Sequence, residues 1–352
     1  MSYPVLFPSR PAPREFKLTK VSTVAAVSAP YSPRLAQLQD WQGEFWAGHV
    51  EYPVIKNPAT LRDFSAAFAE LNGQLGTFLM GHPGRREPLE PSGVTGLPVI
   101  TGANQRGRSL LTQGYGIAGR VLSAGDHIQV ARNYIAHPTA IDNAAWGKNQ
   151  CSSSSANTQA SWDGTVTAER VTPNGGATDA YIYYVTDPDG VGGRVFYASV
   201  WLRAVSGTPS IALILTNQAN VQRATTVSPL TTTWQRYQLS VEMDAADTQV
   251  RLFVGGNGTW PVADGAIDIT GCSLWSDELG ARLYELRKPL IAAGANSAAT
   301  VDLWPSIREC DDYAPLILSN ARGTFRLASN QVDETFDIHR MTAFSFDFVE
   351  AP

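Results

Sequence analysis

The stretch Val121-Leu-Ser-Ala-Gly-Asp-His-Ile-Gln-Val130 decides how the rest of the chain is read. Its Gly-Asp pair makes a turn, and Ile128 and Val130 alternate with polar neighbours as a strand requires. The partner strand that a hairpin would place a few residues later is missing there. It stands instead at Arg282-Leu-Tyr-Glu-Leu286, again with alternating apolar positions. Residues 132–280 between the two have a composition of their own. They hold 8 Lys and Arg against 13 Asp and Glu, whereas the remainder balances at 19 against 19. The pattern describes a small β-domain opened at a loop to admit a second, complete domain. Loop tips tolerate such insertion because little buried backbone is disturbed. Removing 132–280 should then cost the host little, since loop-closure entropy changes slowly with length.

With 352 residues, 43% apolar and 17% charged, the chain suits two or three globular domains with sizeable cores. The net charge of −5 falls entirely within 132–280, and the absence of a basic footprint argues against direct nucleic-acid recognition. No run of about 18 apolar residues exists, so no membrane insertion is expected. Phe7 and Pro8 are followed at once by Arg10, Pro11 and Pro13, which is no secretion leader, and folding in a cytoplasm is expected. Three cysteines, at 151, 272 and 310, make neither a disulfide framework nor a metal spacing. Cys151 and Cys272 sit near opposite ends of the insert, where terminal strands of a sandwich often neighbour each other. Two unrelated buried thiols are the plainer expectation.

Chemistry is sparse. Histidines 49, 82, 127, 137 and 339 are scattered, with no metal-ligand neighbour at helical spacing, and no nucleophile elbow, phosphate loop or dinucleotide fingerprint occurs. Asp311-Asp312, beside Arg308 and Tyr313, reads as a solvated turn, and Asp187-Pro-Asp-Gly190 as a turn rather than a calcium loop. No catalytic residue, metal or cofactor is expected, and no enzymatic activity.

Working outward, residues 3–13 are Pro-rich and read as an extended arm, and Phe16-Lys-Leu-Thr-Lys-Val21 as a strand. A break at 29–33 precedes an aromatic strand pair over 41–52. The one clear helix, 58–75, starts with Asn57 as N-cap and Pro58 in the first turn. Leu61, Phe64, Phe68, Leu71 and Leu75 form its apolar stripe, and Gly73 and Gly76 end it. Residues 81–107 are loop-like, with short strands at 97–100 and 109–112. After the insert, strands are expected at 299–305, 316–318, 323–330 and 344–350, the last pairing with the first ones. The expected fold class is thus mainly β, in three nested parts. A β-sandwich outer domain with one helix takes 1–82 and 322–352; a small β-barrel takes 83–131 and 281–321; a jelly-roll β-sandwich is inserted at 132–280.

Within the insert, strands are expected at 165–170, 180–185, 195–204, 211–215, 235–241, 250–254 and 266–274. Turns at 173–176, 187–190 and 255–258 separate them. Strand parity sends Phe196, Ala198, Val200, Leu202, Ile182, Tyr184 and Leu252 to the core. The opposite parity places Tyr181, Tyr183, Tyr197, Trp201 and Phe253 among Arg203, Gln238 and Arg251. Aromatic rings among hydrogen-bonding groups suit sugars, because rings stack on pyranose C–H faces while polar groups take hydroxyls. A packing surface against the host or a neighbouring subunit is the alternative. Trp146, Trp162 and Trp260, in turn-rich stretches, are further binding candidates.

Several host segments carry a resemblance as an ordered set: Phe16-Lys-Leu-Thr-Lys, Gln39-Asp-Trp-Gln-Gly-Glu-Phe-Trp, Leu75-Gly-Thr-Phe-Leu-Met-Gly81, Ala124-Gly-Asp-His-Ile-Gln-Val130 and Gly323-Thr-Phe-Arg-Leu-Ala-Ser-Asn330. Together they resemble the distal tail proteins of long, flexible-tailed bacteriophages (siphophages), over residues 1–131 and 281–352. The resemblance implies a structural protein of the virion, placed at the distal end of the tail and assembled in the host cytoplasm. It implies a homo-oligomeric ring, a hexamer, between the tail tube protein and the tail hub and tip proteins, built by the outer domain. In the insert, Asn133, His137-Pro138, Phe196-Tyr-Ala-Ser-Val-Trp-Leu-Arg-Ala204, Thr233-Trp-Gln-Arg-Tyr-Gln-Leu239 and Ala266-Ile-Asp-Ile-Thr-Gly-Cys-Ser-Leu-Trp275 resemble carbohydrate-binding modules of the jelly-roll kind. That implies a bacterial surface glycan as ligand. The rival reading is a lectin-like accessory module, or one belonging to a glycan-processing enzyme.

Overall fold

The divided hairpin closes. Arg282 lies opposite Val130 and Glu285 opposite His127 in an antiparallel pair. The computed structural model describes residues 4–29, 32–41, 43–89, 93–154, 157–174, 180–256, 260, 264–336 and 342–351. His339, and parts of the break at 29–33 and of the turns at 173–176 and 255–258, lie outside the described residues. The chain is mainly β, with one α-helix among the described residues.

Around the closed hairpin runs a six-stranded sheet in the order Leu316–Ile317, His127–Val130, Arg282–Leu286, Ala299–Ile307, Gly107–Gln113 and Val99–Ile100. Its two ends meet at an antiparallel bridge between Val99 and Pro315, so the sheet curls nearly into a barrel. Ile100, Leu110, Ile128, Tyr284, Val301 and Leu303 fill it.

The outer sheet has the order Glu15–Val21, Phe45–Glu51, Thr342–Glu350, Gly323–Leu327 and Phe78–Met80, with Asp333–Phe336 paired to Thr342–Glu350. First and last strands thus share one sheet, as the alternation in 344–350 implies. The helix covers it. Asn57 Oδ1 caps Ala59 N, and Phe64, Ala67 and Leu71 are buried. Phe68 meets Phe344 and Phe346 at ring distances of 5.2 and 5.3 Å. The helix ends earlier than the stripe suggests, at Pro58–Leu71, because Asn72 takes the left-handed conformation. A 3₁₀ turn, Gly73–Leu75, follows and leaves Leu75 67% exposed.

Two other expectations need correction here. The arm is seated rather than extended into solvent: Val5 bridges Phe78, and the Phe7 ring packs on Phe64, Phe68, Phe78 and Phe346. Residues 41–52 hold one strand, not a pair; its partners are Glu15–Val21 and Thr342–Glu350. Either side of residues 30 and 31, Val24–Ala29 and Ser32–Asp40 pair as a separate two-stranded antiparallel sheet. Outer sheet and barrel meet where the Trp46 indole donates to Leu283 O (2.9 Å) and crosses Trp304 edge-on at 4.4 Å.

The insert is a sandwich of two five-stranded sheets over one core that includes Trp146, Phe196 and Trp260. The first sheet runs Trp146–Asn149, Tyr181–Thr186, Val250–Gly255, Ser210–Thr216, Gln222–Pro229. The second runs Cys151–Ser153, Glu169–Pro173, Ile267–Trp275, Val195–Ala204, Gln235–Glu242. Cys151 and Cys272 are buried and unpaired, as is Cys310.

Candidate binding faces of the insert

All nine residues of Ile267–Trp275 are buried, although Asp268, Thr270 and Ser273 alternate with the core residues. A strand in mid-sheet buries both faces only when something covers the second one. Here the barrel does. Opposite Val195–Ala204 the register slips between Ser199 and Trp201, at a bulge containing Gly271 with φ +60°. A Cβ on Gly271 would sit 2.6 Å from the Tyr313 ring of the barrel and 3.1 Å from Trp201. Glycine is therefore required for the barrel to approach. Hydrogen bonds complete the joint: Ser273 Oγ donates to Tyr313 O (2.9 Å), Arg236 Nη1 to Leu97 O (2.5 Å) and Asn133 Nδ2 to Asp312 O (2.9 Å). Burial pulls the Arg236 guanidinium down to about 10.

Asp311-Asp312 is accordingly not a solvated turn. Asp311 Oδ2 accepts from Asn133 N (3.2 Å) and Asp312 Oδ1 from Gly102 N (2.7 Å), and burial raises both carboxyls. Where the insert meets the arm, Arg194 is 5% exposed; it donates to Pro4 O and pairs with Glu278 at 3.0 Å.

This joint divides the eight residues that sequence parity groups together. Tyr197, Trp201, Arg203 and Gln238 lie on the second sheet, whose outer face meets the barrel. Trp201 stacks on Trp162 at 4.5 Å and 11°. Arg203 pairs with Asp268 and lies over Trp234 at 4.9 Å. Tyr197 stacks on Trp275 at 5.4 Å, and with Gln238 it lines a cleft of about 950 Å³ walled on its other side by barrel residues such as Leu97 and Leu316. Trp146 and Trp260 are core, at 2% and 0% exposure.

Tyr181, Tyr183, Arg251 and Phe253 stay together on the outer face of the first sheet. The expected parity holds there: Ile182, Tyr184, Leu252 and Val254 are buried beneath them. The register sets Gly147, Tyr183, Phe253 and Ile214 side by side across four strands. The Tyr183 and Phe253 rings stack at 5.4 Å and 19°, and Tyr181 leans on them at 6.1 and 5.4 Å. Arg251 is fixed by Asn220 Oδ1 (2.7 Å) and Gln249 Oε1 (3.0 Å). The result is a three-ring platform edged by a guanidinium and amides, able to stack on an apolar ring face while bonding its substituents.

Gly147 is the part of this platform that sequence reasoning missed. A Cβ there would stand 2.1 Å from Tyr183 Cζ, so only glycine lets that ring lie down over the neighbouring strand. Gly147→Ala should lift the Tyr183 ring off its seat, altering the near-ultraviolet circular dichroism. Because the clash is with a mobile ring end, stability should change by less than about 1 kcal/mol.

No family model matches the sequence, and no curated protein matches it. Among solved structures the chain is similar to the CBM22-1 xylan-binding domain from Paenibacillus barcinonensis Xyn10C, with TM-score 0.30 and 11% identity over 44% of this chain and 96% of that one. It is similar to TmCBM61 in complex with beta-1,4-galactotriose, with TM-score 0.29 and 13% identity over 41% and 99%. It is also similar to the enzymatically active domain of bacteriophage CBA120 tailspike protein 4, with TM-score 0.30 and 13% identity over 41% and 21%.

Proposed function

We propose that this chain is a structural protein of a siphophage virion, the distal tail adaptor between tail tube and tip hub, and that its insert binds a host-surface glycan. The ordered host segments from Phe16 to Asn330 support the tail role, with an outer sheet that gathers first and last strands as ring-building element. The observation that carries the glycan role is the platform of Tyr181, Tyr183 and Phe253. Because the second sheet is bonded to the barrel, a sugar on the first sheet would pull on the host body directly rather than on a loose tether.

One ring stacking on a sugar contributes about 1 kcal/mol, which makes a single platform a millimolar binder of a mono- or disaccharide. A ring of copies would raise this through effective concentration alone. Tyr183→Ala/Phe253→Ala should weaken binding to host-cell surface glycan about 30-fold, the equivalent of roughly 2 kcal/mol, with the melting temperature nearly unchanged. Trp201→Ala should do the opposite, since Trp201 packs at the barrel joint. Cell-surface binding that survives loss of both rings would exclude the platform. Light scattering tests the assembly: closed rings, hexamers, are expected, whereas a lectin-like accessory module would stay monomeric while still binding glycan.

A further inference from the structure

We propose that the protein has a second saccharide site, in the cleft where the insert meets the barrel, which takes a neutral mono- or disaccharide. It does not rest on the platform and shares no residue with it. The cleft is open to solvent, has a volume of about 530 Å³ and is lined by Thr101, Gln113, Asn296 and Ser297 from the barrel and by Trp162 and Asp163 from the insert. That volume is within the range of small-ligand sites.

The lining selects the ligand class. It contains no Lys or Arg, so nothing answers an anion. Its one carboxylate is already engaged: Asp163 Oδ1 accepts from Thr165 N (3.0 Å) and Thr165 Oγ1 (2.6 Å), and Oδ2 from Gln113 Nε2 (3.4 Å). A bare cation is therefore poorly served. What remains is hydroxyls, amides and an indole held rigid by stacking on Trp201, the combination that a polyhydroxylated ring with an apolar face uses. Two polar atoms of the lining, Thr101 Oγ1 and Trp162 Nε1, are shielded from solvent and have no partner among the described residues. Groups buried in this way are costly unless something satisfies them. Gln113, 4% exposed, holds Asp163 only by a long bond that a sugar hydroxyl could replace at small cost.

The test uses the full chain and four probes: methyl α-D-glucopyranoside, methyl β-D-galactopyranoside, N-acetyl-D-glucosamine and methyl α-L-rhamnopyranoside, titrated by saturation-transfer NMR. At least one should bind with a millimolar dissociation constant, and should still bind the Tyr183→Ala/Phe253→Ala chain, which lacks the platform. Asn296→Ala/Ser297→Ala, in an accessible loop, should weaken that binding at least fivefold without lowering the melting temperature. Thr101→Val, which removes an unpartnered hydroxyl, should weaken binding while leaving stability equal or higher. Failure of all four probes to bind the platform-less chain overturns the proposal, as does binding that the Asn296→Ala/Ser297→Ala change leaves intact. Tighter binding of inorganic phosphate or calcium than of any glycoside overturns the ligand class. Loss of cell-surface binding on removal of the platform alone bears on the platform and leaves this outcome separate.

Discussion

Asn133→Ala is expected to destabilise the protein by about 4 kcal/mol, more than any other single substitution proposed above or below. Asn133 is 3% exposed and bonds at every side-chain position available to it. Nδ2 donates to Cys272 O (3.2 Å) and Asp312 O (2.9 Å), while Oδ1 accepts from Ile135 N (3.1 Å) and Leu274 N (3.0 Å). It thereby ties the start of the insert to the insert's last strand and to the barrel together. Truncation abandons four buried backbone groups, each of which costs roughly 1–3 kcal/mol when left bare, with some of that recovered by water entering the gap. Urea unfolding at neutral pH measures it; a loss below about 1 kcal/mol would mean that the joint is held by packing alone. The same bonds revise the expectation that 132–280 can be removed cheaply. Loop entropy is still a small term, but Leu97, Asp312 and Tyr313 would lose their partners and the face under Gly271 would be bared. A host joined across the gap should melt well below the intact chain.

Why the sequence misjudges that joint is visible in Ile267–Trp275. Its Ile-Asp-Ile-Thr alternation is that of a half-exposed strand, because its polar groups point to the second face and are satisfied there, Asp268 by Arg170 and Arg203 of neighbouring strands, Thr270 by Thr167 O and Ser273 by Tyr313 O of the barrel. Alternation reports which face is apolar, not which face is covered. Pattern alone therefore puts Tyr197, Trp201, Arg203 and Gln238 on an open face along with Tyr181, Tyr183, Arg251 and Phe253, though the two groups belong to opposite sheets. Parity is right within each strand; sheet membership is a long-range property that strand pattern does not encode. Gln222–Pro229 is invisible in the sequence for a related reason. It is an edge strand, its Thr and Ser residues half in solvent, with no apolar stripe to mark it. The divided hairpin, by contrast, is legible because Val130 and Arg282 each begin or end a strongly patterned strand. The helix start is legible through its cap, but its end depends on the left-handed turn at Asn72, which the continuing run of leucines conceals.

Acid should weaken the joint between the outer sheet and the barrel in two steps, governed by His82 and Glu285. Glu285 accepts from Lys20 Nζ (2.5 Å) and Arg85 Nη1 (3.1 Å) and lies 3.4 Å from His127 Nε2, so that one carboxylate gathers partners from both parts. Burial alone would raise its pKa, but the hydrogen bonds from His127 and Lys20, with the Lys20 charge, hold it down to about 2. A carboxyl depressed in the folded state contributes stability that is full above its unfolded value of 4.5 and is lost as pH falls through about 2. His82 is lowered from 6.5 by burial and then by the charges of His127 and Arg85. The unfolded chain therefore takes up that proton first, and stability begins to fall once pH drops below 6.5. Glu285→Gln should cost about 2 kcal/mol at pH 7, since the Lys20 ammonium and Arg85 guanidinium lose their charged acceptor, and should abolish the lower step. His82→Gln should abolish the upper step and leave the lower one. Urea unfolding of the three proteins at pH 7, 5.5, 4.5 and 2 separates these outcomes. A Glu285→Gln chain that loses stability between pH 4.5 and 2 as steeply as the unaltered chain would show that other carboxylates, not this cluster, set the acid limit of the joint.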